Sequence, residues 1–500
     1  MTKTIKKSMV IMLSVFVVAM TMIPSLSFAA FEAPTPETKG TIKVLNVNDG
    51  ATVKAYKIVG ANIVDGKFTG WKQVFKGTPE TVIADFTAPT AAEITALAKQ
   101  VKNGATATEM TKPEGEDFYS ADLDPGLYII IAEDPAEGNT IYNPAIGAVN
   151  ITDANTGAAT GTDVDFNSKF TGEVYVKKTV NGFNKKIVDS NYNDHADFAQ
   201  EGETVKFEIA GMKIPSYSAQ YHQDSLVYKI TDTLDAGFDA PKADKVIVTA
   251  GTAVKDTDYT VSVDGQVITV KFKPAFIKAN AGTAVKVNYS AVINSSAKWN
   301  FNKNTNKAEL EYTHKPGDTQ DGTKKEEDKT YHYTIKISGV KVDSVETETK
   351  LEGAEFAIYT DAECKTPAFA TATSNGQGEF VFSKLLDSKT YYIKETKAPA
   401  GYALNSHIYK LELTAKAPAN DVTEIKSVLT DITDNNTVIK DGTIAAGSTE
   451  AANAVNIGMI KNTKLSDLPA TGQKGMLILT VAGIAIMTFV AVRMRNRKEA

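Results

Sequence analysis

The sequence contains a single cysteine, Cys364, among its 500 residues. One thiol cannot close an intramolecular disulfide, so disulfides are excluded as the covalent reinforcement of this chain. No neighbouring motif marks Cys364 as a catalytic nucleophile, and we predict a passive thiol.

Motifs of enzymes are also missing. The five histidines are scattered without a His-Glu-x-x-His pair, and the chain has no Gly-x-Ser-x-Gly or Gly-Lys-Thr phosphate loop. The segment from Asp153 to Asp163 resembles a loose calcium loop, but it lacks the ligand spacing and terminal Glu of an EF-hand. We therefore expect no enzyme, no cofactor and no bound metal.

The chain has no strong excess of basic charge. Its net charge of -6 at pH 7 is modest for this length and argues against a nucleic-acid-binding protein, which would present a basic face. Its length exceeds what one hydrophobic core usually supports, so we expect several domains.

The N-terminus has the features of a secretory signal peptide. Lys3, Lys6 and Lys7 precede an apolar stretch, and Ser27 and Ala29 fit the small-x-small cleavage rule. Cleavage is expected after Ala29 or Ala30. The alternative, a membrane anchor, is disfavoured because the apolar stretch is short and a cleavage site follows it.

Most of the remaining chain predicts β-strands. Short segments such as TIKVLNV, GLYIIIAE, ETVKFEIAGM and AVKVNYSAVI are rich in β-branched residues and are separated by Gly, Asn and Asp. This spacing indicates β-sandwiches. The clear helical pattern is TAAEITALAKQVKNG, in which Ile94, Leu97 and Val101 share one face and Gly104 follows as a cap.

Two boundaries suggest three domains. The chain passes between two sets of strands around residues 166–172, and residues 315–329 are charged and lack large apolar side chains, which is typical of a linker or exposed loop. We predict a signal peptide at 1–29, domains at 30–169, 170–330 and 331–464, and a C-terminal segment at 465–500.

The C-terminal segment combines three features. Residues Met476 to Val492 form an apolar run of 17 residues, long enough for a transmembrane helix, and basic residues follow it. The motif LPATG, Leu468 to Gly472, comes just before the run. Together with the signal peptide, this arrangement closely resembles the cell-wall sorting signal of Gram-positive surface proteins.

The resemblance implies that a sortase recognises Leu468, Pro469, Ala470, Thr471 and Gly472 and cuts between the last two. Pro469 fixes its own backbone and keeps Leu468 extended, so the motif can lie in a groove. The sortase cysteine would hold the Thr471 carbonyl as a thioester until an amine attacks it. The chain would be the substrate of this reaction, and the apolar run would hold the precursor in the membrane until cleavage.

The third predicted domain resembles the B-type repeat domain of collagen adhesins and pilins. The segments VKVDSVETETKLEGAEFAIY and YYIKETKAPAGY carry this resemblance. In that family a Lys on the first strand forms an amide bond with an Asn on the last strand, promoted by a buried carboxyl group. The matching residues are Lys341, Asn462 and Glu395. Burial would lower the pKa of the lysine and raise that of the acid, which leaves a neutral amine able to attack.

The middle domain resembles the isopeptide-forming domains of pilin backbone subunits, through VKKTVNG, GETVKFEI, YKITDTLDAGF and NKAELEY. The matching residues are Lys178, Asn306 and the acid Asp232. Lys177 adjoins Lys178, so the lysine could be displaced by one position. Strand alternation favours Lys178, because it shares a face with Val174 and Val176.

A polymerising pilin also needs an exposed lysine to attack the thioester on another subunit. In the family this lysine ends a Val-x-Val-Tyr-Pro-Lys motif after the first domain, and VDFNSK, residues 164–169, occupies that place here. Asn and Ser replace Tyr and Pro. We predict Lys169 as the linking residue, with Lys177 as its rival. In the first domain Lys43 and Glu133 are conceivable members of an amide-forming set, but no complete set is evident.

The chain as a whole therefore resembles the major, or backbone, pilins of Gram-positive sortase-assembled pili. The resemblance implies an all-β protein of tandem immunoglobulin-like and Cna-B-type sandwiches, secreted and anchored to the cell wall in a pilus. Its expected partners are a pilin-specific sortase, identical subunits and peptidoglycan, with ancillary pilins and host ligands left open and no nucleic acid. The alternatives are a monomeric wall-anchored adhesin and, less favoured, a wall-anchored enzyme.

Overall fold

The computed structural model describes residues 39–64, 67–135, 138–151, 165–218, 221–316, 320–417, 419–449, 453–465 and the single residue 487. The predicted signal peptide, the loop at 153–163, LPATG and most of the apolar run lie outside these ranges. The described chain divides into two compact units. The first comprises the described residues up to Lys178, apart from Gly138–Ile141, together with Ser218, and the second comprises the remainder.

The N-terminal part of the chain contains short strands and one helix. In chain order these are β1 (Gly40–Leu45), β2 (Thr52–Val64), β3 (Lys67–Gln73), α1 (Ala91–Ala98), a 3-10 turn (Val101–Asn103), β4 (Ala107–Met110), β5 (Phe118–Leu123), β6 (Gly126–Glu133), β7 (Thr140–Tyr142), β8 (Ala145–Val149), β9 (Glu173–Tyr175) and β10 (Lys178–Val180). The first unit is a sandwich of a β5-β1-β9 sheet and a β3-β2-β6-β8 sheet, with β4 paired to β2.

Strand β6 is apolar on both faces because both faces are covered. Tyr128 and Ile130 pack into one cluster with residues of β1, whereas Leu127 and Ile129 pack into another with Leu97 of α1. This explains the continuous apolar run GLYIIIA, since a strand covered on both sides does not alternate.

Helix α1 confirms the predicted apolar face but is shorter than the pattern suggested. Ile94, Leu97 and Val101 are buried. Thr90 and Glu93 form a reciprocal capping box, which satisfies orphan amides at the helix start. The helix ends at Ala98, and a 3-10 turn continues to Asn103.

The second sandwich begins the second unit. Its elements are β11 (Asn184–Val188), β12 (Ala196–Phe198), β13 (Thr204–Lys213), β14 (Tyr228–Leu234), β15 (Phe238–Asp239), a 3-10 turn (Ala243–Lys245), β16 (Ile247–Thr249), β17 (Tyr259–Asp264), β18 (Val267–Phe272), α2 (Pro274–Ala279), β19 (Ala284–Ile293), β20 (Asn304–Lys315) and β21 (Gly322–Tyr333). One sheet has the order β11-β13-β19-β15 with β16 on β19, and the other has the order β12-β21-β20-β14-β18-β17.

The prediction that residues 315–329 form a linker or exposed loop is wrong for most of that segment. Residues from Gly322 onward form β21, which pairs antiparallel with β20 along its length. On its other side β21 pairs with β12 only at residues 331–333, so most of it is a sheet edge. Charged side chains are typical of such edges because they oppose pairing with another chain. Lys325, for example, lies 2.9 Å from Glu309 across the ladder.

The third sandwich completes the described chain. Its strands are β22 (Ile335–Asp343), β23 (Glu355–Tyr359), β24 (Ala370–Thr373), β25 (Glu379–Leu385), β26 (Thr390–Lys397), β27 (Ile408–Lys416), β28 (Glu424–Asp431), β29 (Thr437–Ala445) and β30 (Val455–Asn462). A β25-β22-β30 sheet faces a β24-β23-β26-β27-β28-β29 sheet. The first strand, β22, therefore lies beside the last strand, β30, in parallel orientation.

This architecture confirms the predicted all-β fold of tandem sandwiches. Burial alternates along many strands, as in β28, where every second residue is buried. Among the described residues, no helix reaches the length and hydropathy needed to cross a bilayer.

Candidate functional site

The third sandwich buries a lysine, a glutamate and an asparagine together, and we call this group the C-terminal site. Lys341 lies on β22, Glu395 on β26 and Asn462 at the end of β30. Their exposed fractions are 0%, 1% and 2%. The structure therefore brings together the three residues that the sequence predicted for this domain.

The contacts within the C-terminal site join all three side chains. Lys341 Nζ donates to Asn462 Oδ1 at 2.5 Å and lies 3.1 Å from Glu395 Oε1. Asn462 Nδ2 donates to Glu395 Oε1 at 3.1 Å and to Oε2 at 2.9 Å. The carboxyl group thus touches both the amine and the amide nitrogen.

Burial changes the acid–base properties of this lysine. Desolvation lowers the pKa of Lys341 to about 8, and the neighbouring Glu395 only partly opposes the effect. A neutral amine, which is the nucleophilic form, is consequently accessible at moderate pH.

Backbone groups support the C-terminal site. The Asn405 amide donates to Glu395 Oε2 at 2.6 Å, and the Lys341 amide donates to Gly378 O at 2.7 Å. Gly378 has φ of 72°, and a Cβ atom there would lie 2.4 Å from Lys341 O. Only glycine fits this approach without displacing the strand that carries Lys341.

The second sandwich contains a similar group, which we call the middle site. It consists of Lys185 on β11, Asp232 on β14, Tyr289 on β19 and Asn306 on β20. All four side chains are buried, with exposed fractions of 4% or less. Lys185 and Tyr289 come from one sheet, whereas Asp232 and Asn306 come from the opposite sheet.

The Tyr289 hydroxyl lies at the centre of the middle site. It accepts from Lys185 Nζ at 3.0 Å and from Asn306 Nδ2 at 2.5 Å, and it donates to Asp232 Oδ2 at 2.9 Å. Lys185 Nζ also pairs directly with Asp232 Oδ2. The ring of Phe207 packs 4.9 Å from Nζ.

Burial shifts the acid and the base of the middle site in opposite directions. Desolvation lowers the pKa of Lys185 and raises the pKa of Asp232, although their mutual attraction opposes both shifts. Both shifts favour a neutral amine beside a protonated carboxyl group.

The prediction of Lys178 for this site is not supported by its position. Lys178 begins β10, and its Nζ donates to Asn48 Oδ1 at 2.7 Å within the first unit. Val174 and Val176 are buried as the alternation predicted, but they belong to the core of the first sandwich. The valines therefore face a core as the alternation predicts, but it is the core of the first sandwich, and Lys178 is only half-buried at the start of a separate strand.

Lys185 was missed, and the only trace of its burial in the sequence is its spacing from an isoleucine on the same short strand. In NKKIV, residues 184–188, Lys185 and Ile187 are both buried, whereas their neighbours are not. Because residues two apart on a strand share a face, Lys185 can be recognised as buried once Ile187 is known to face the core. The predicted partners Asp232 and Asn306 do lie close together. They are on paired strands, where Asn306 is opposite Leu234, two residues from Asp232.

Both candidate linking lysines are accessible. Lys169 and Lys177 are exposed, and Lys169 lies in a turn, where its backbone amide donates to Asn167 Oδ1 at 3.0 Å. Phe166, three residues earlier, is buried against Trp71 with ring centroids 4.3 Å apart. Leu468, Pro469, Ala470, Thr471 and Gly472 lie outside the described residues.

Neither the single cysteine nor any group of metal-binding side chains among the described residues indicates a second reactive site. Cys364 is half-buried, and burial raises the pKa of its thiol, which disfavours the reactive thiolate. Within the described ranges, no cluster of three or more His, Cys, Asp or Glu side chains could hold a metal ion.

Four family models match successive parts of the chain. A T6 antigen Ig-like domain matches residues 37–182, and the Cna-B-like domain of the Gram-positive pilin backbone subunit 2 matches 201–316. A prealbumin-like fold domain matches 335–427, and the LPXTG cell wall anchor motif matches 460–500. The last match indicates a cell-surface location and includes the predicted sortase motif.

Curated relatives match nearly the whole chain. The trypsin-resistant surface T6 protein of Streptococcus pyogenes serotype M6 is 26% identical over 526 residues, covering 92% of this chain and 95% of the relative. Fimbrial subunit type 2 of Actinomyces naeslundii is 25% identical over 505 residues, covering 90% of this chain and 84% of the relative.

Solved structures share the fold. The T6 backbone pilin of S. pyogenes superposes with a TM-score of 0.64 at 21% identity, covering 87% of this chain and 100% of that chain. The full-length major pilin SpaD of Corynebacterium diphtheriae gives a TM-score of 0.51 at 21% identity, covering 86% and 98%. The tandem sandwiches, the matches to successive pilin domains and the terminal anchor motif together support the interpretation of this chain as a major, or backbone, pilin of Gram-positive bacteria.

Proposed function

We propose that this chain is polymerised covalently by a pilin-specific sortase. The enzyme breaks the Thr471–Gly472 peptide bond and holds the Thr471 carbonyl as a thioester, which Lys169 of the next subunit attacks to form an amide. Lys177 remains the rival amine. The exposure of both lysines supports this step, because an amine must reach the enzyme-bound thioester. At the end of the fibre, peptidoglycan supplies the amine and anchors the pilus to the wall.

Two internal amide bonds complete the proposal. In the C-terminal site, the neutral amine of Lys341 attacks the side-chain carbonyl of Asn462, and Glu395 hydrogen-bonds to the reacting groups. In the middle site, Lys185 attacks Asn306 beside Asp232 and takes the role that the family resemblance assigns to Lys178. Each reaction forms one C–N bond, breaks another and releases ammonia. No external catalyst is required, because the protein itself buries the reactants.

The single observation that carries the proposed internal bonds is the geometry of the C-terminal site, where Lys341, Glu395 and Asn462 meet. Lysine and glutamate are almost never fully buried in a protein unless they are paired. Here both have exposed fractions of 1% or less, and both contact the side-chain amide of the same buried asparagine, Asn462. Such an arrangement is costly as a simple ion pair, since desolvation of two charges can exceed their attraction. As a reaction centre it forms a bond that removes both charges.

The bonds would stiffen the fibre as well as stabilise each subunit. Asn462 lies on the last strand of the third sandwich and Lys341 on the first. Tension that arrives from Thr471 would therefore cross a covalent bond instead of unzipping the strands between them. By analogy with disulfides that close loops of about 100 residues, each bond would stabilise its sandwich by roughly 4–5 kcal/mol.

Immunoblotting of cell-wall extracts tests polymerisation directly. We expect a detergent-resistant ladder from the unaltered chain, its loss in Thr471→Ala and Lys169→Ala, and its retention in Lys177→Ala. A ladder that persists in Lys169→Ala and disappears in Lys177→Ala would move the link to the rival lysine. A single band from the unaltered chain would contradict polymerisation and favour a monomeric adhesin.

A further inference from the structure

The two lysine sites differ in how the acid reaches the asparagine nitrogen, Nδ2, which the proposed reaction releases as ammonia. In the C-terminal site, Glu395 contacts both Lys341 Nζ and Asn462 Nδ2. In the middle site, Asp232 is shorter by one methylene group and contacts Lys185 Nζ. The nitrogen of Asn306 instead donates to the hydroxyl of Tyr289 at 2.5 Å.

We propose that Tyr289 is a catalytic residue of the middle site and relays the proton that lets ammonia leave. This inference rests on the proposed amide bond between Lys185 and Asn306. Its basis is geometric, because one hydroxyl contacts the attacking nitrogen, the leaving nitrogen and the acid. A hydroxyl that touches all three groups can accept one proton and donate another by rotating its O–H bond, while the ring stays in place.

The reaction begins with an internal proton transfer. The ammonium group of Lys185 gives one proton to the carboxylate of Asp232, with which it is in direct contact. The neutral amine then attacks Cγ of Asn306, and the protonated acid gives its proton to the carbonyl oxygen. The resulting intermediate holds a positively charged nitrogen on the lysine side and an uncharged amino group on the asparagine side.

Tyr289 transfers the positive charge from the lysine nitrogen to the asparagine nitrogen. Its hydroxyl receives one proton from the Lys185 nitrogen while it passes its own proton to Nδ2 of Asn306. The C–Nδ2 bond then breaks and its electron pair leaves with ammonia. The hydroxyl proton on the former carbonyl oxygen returns to Asp232 as the C=O bond re-forms. One amide N–H remains, Tyr289 is unchanged and Asp232 ends protonated, so all atoms and charges balance.

The surroundings of Tyr289 favour such a relay. The hydroxyl is fully desolvated in the core, and burial raises its pKa well above the usual range, so it stays protonated. Two oxygen atoms of the site, Asp232 Oδ1 and Asn306 Oδ1, are buried without a hydrogen-bond partner among the described residues. A proton on Asp232 is the donor that an amide oxygen in this position requires.

The test follows bond formation in the full-length chain after pulse labelling. Mass spectrometry of proteolytic fragments counts the Lys185–Asn306 and Lys341–Asn462 links at successive times. Tyr289→Phe is expected to slow the first link by roughly 100-fold, the scale of a lost general acid–base group, and to leave the second link unchanged.

Tyr228→Phe is the matched control. Tyr228 lies in the same hydrophobic core, is fully buried, and its hydroxyl has no hydrogen-bond partner among the described residues. The control removes a buried hydroxyl without touching the reacting groups, and both links should form at the unaltered rate.

A rescue variant separates a relay from a folding defect. In Tyr289→Phe with Asp232→Glu, the longer carboxyl group could reach Asn306 Nδ2 as Glu395 reaches Asn462. Recovery of the Lys185–Asn306 link in the double variant would support the relay. An unaltered rate in Tyr289→Phe, or no recovery in the double variant, would overturn it. Absence of the link from the unaltered chain would instead contradict the proposed amide bond itself.

Discussion

At the scale of single residues, a lysine becomes a nucleophile only after it loses a proton. Lys341 and Lys185 are completely buried, and desolvation lowers the pKa of both. The exposed Lys169 has no such environment, and in our proposal the sortase thioester provides the activation instead. In our proposal, lysine therefore forms both kinds of amide bond: burial activates the amine for the internal bonds, and the thioester activates the acyl group for the bond between subunits.

The choice between Lys185 and Lys178 gives a direct prediction. Lys185→Ala should abolish the bond to Asn306, because its amine is the one that contacts Asp232 and Tyr289. Lys178→Ala should leave the bond intact, because its amine contacts Asn48. Fragment mass spectrometry of the two variants measures this outcome, and a bond lost in Lys178→Ala but kept in Lys185→Ala would refute the assignment.

Removal of the amide acceptor predicts a pH dependence of stability. In Asn462→Ala, Lys341 stays an amine with a pKa of about 8 when folded, below its unfolded value of 10.5. The unfolded state therefore binds more protons between these values, and stability must rise with pH there. Urea unfolding should show a gain of about 2 kcal/mol between pH 7 and 9.5.

The unaltered chain is the control for this measurement. Its Lys341 nitrogen is an amide in our proposal and does not titrate, so the same pH range should produce no comparable gain. An equal rise in both proteins would show that Lys341 is not the source of the effect.

At the scale of elements, the strands decide which residues can meet. Parallel pairing of β22 with β30 places the first and last strands of the third sandwich side by side, with Asp343 opposite Asn462. Lys341 is two residues earlier on the same face. In the second sandwich the amine instead crosses between sheets. The two proposed bonds therefore reinforce different directions, one within a sheet and one across the core.

The turn before β25 offers a test at this scale. Gly378→Ala adds a Cβ atom 2.4 Å from Lys341 O at a positive φ, so β22 must shift. We expect slower formation of the Lys341–Asn462 bond and a loss of stability above about 1 kcal/mol. Gly353→Ala is the control, because φ is also positive there but nothing lies within 4 Å. Equal effects of the two variants on bond formation would contradict the proposed contact.

The sequence predicted the secondary-structure elements better than it predicted which side chains meet in the buried sites. Alternation and turn residues identified the sandwiches, and the TAAEITALAKQV pattern identified the buried face of α1. The charged segment of β21 was misinterpreted because an exposed edge strand and a linker have similar compositions. Lys341 could be predicted because it lies within a recognisable motif, whereas Lys185 required knowledge of which core its strand faces.

At the scale of the whole molecule, the chain must be held together without disulfides. Its one cysteine cannot form an internal bridge, and each sandwich instead relies on its core, with a buried lysine site in the second and the third. We infer that amide bonds take the place that disulfides hold in other secreted proteins. Unlike disulfides, such bonds are not broken by reducing agents.

The intact mass of the full-length chain tests this account most directly, combined with fragment mapping. We predict a mass lower by two molecules of ammonia than the value calculated for the residues present after processing, with links at Lys185–Asn306 and Lys341–Asn462. Each Asn→Ala variant, at position 306 or 462, should lose one link and keep the other. An intact mass equal to that of the unlinked sequence would contradict the central claim that the protein cross-links itself.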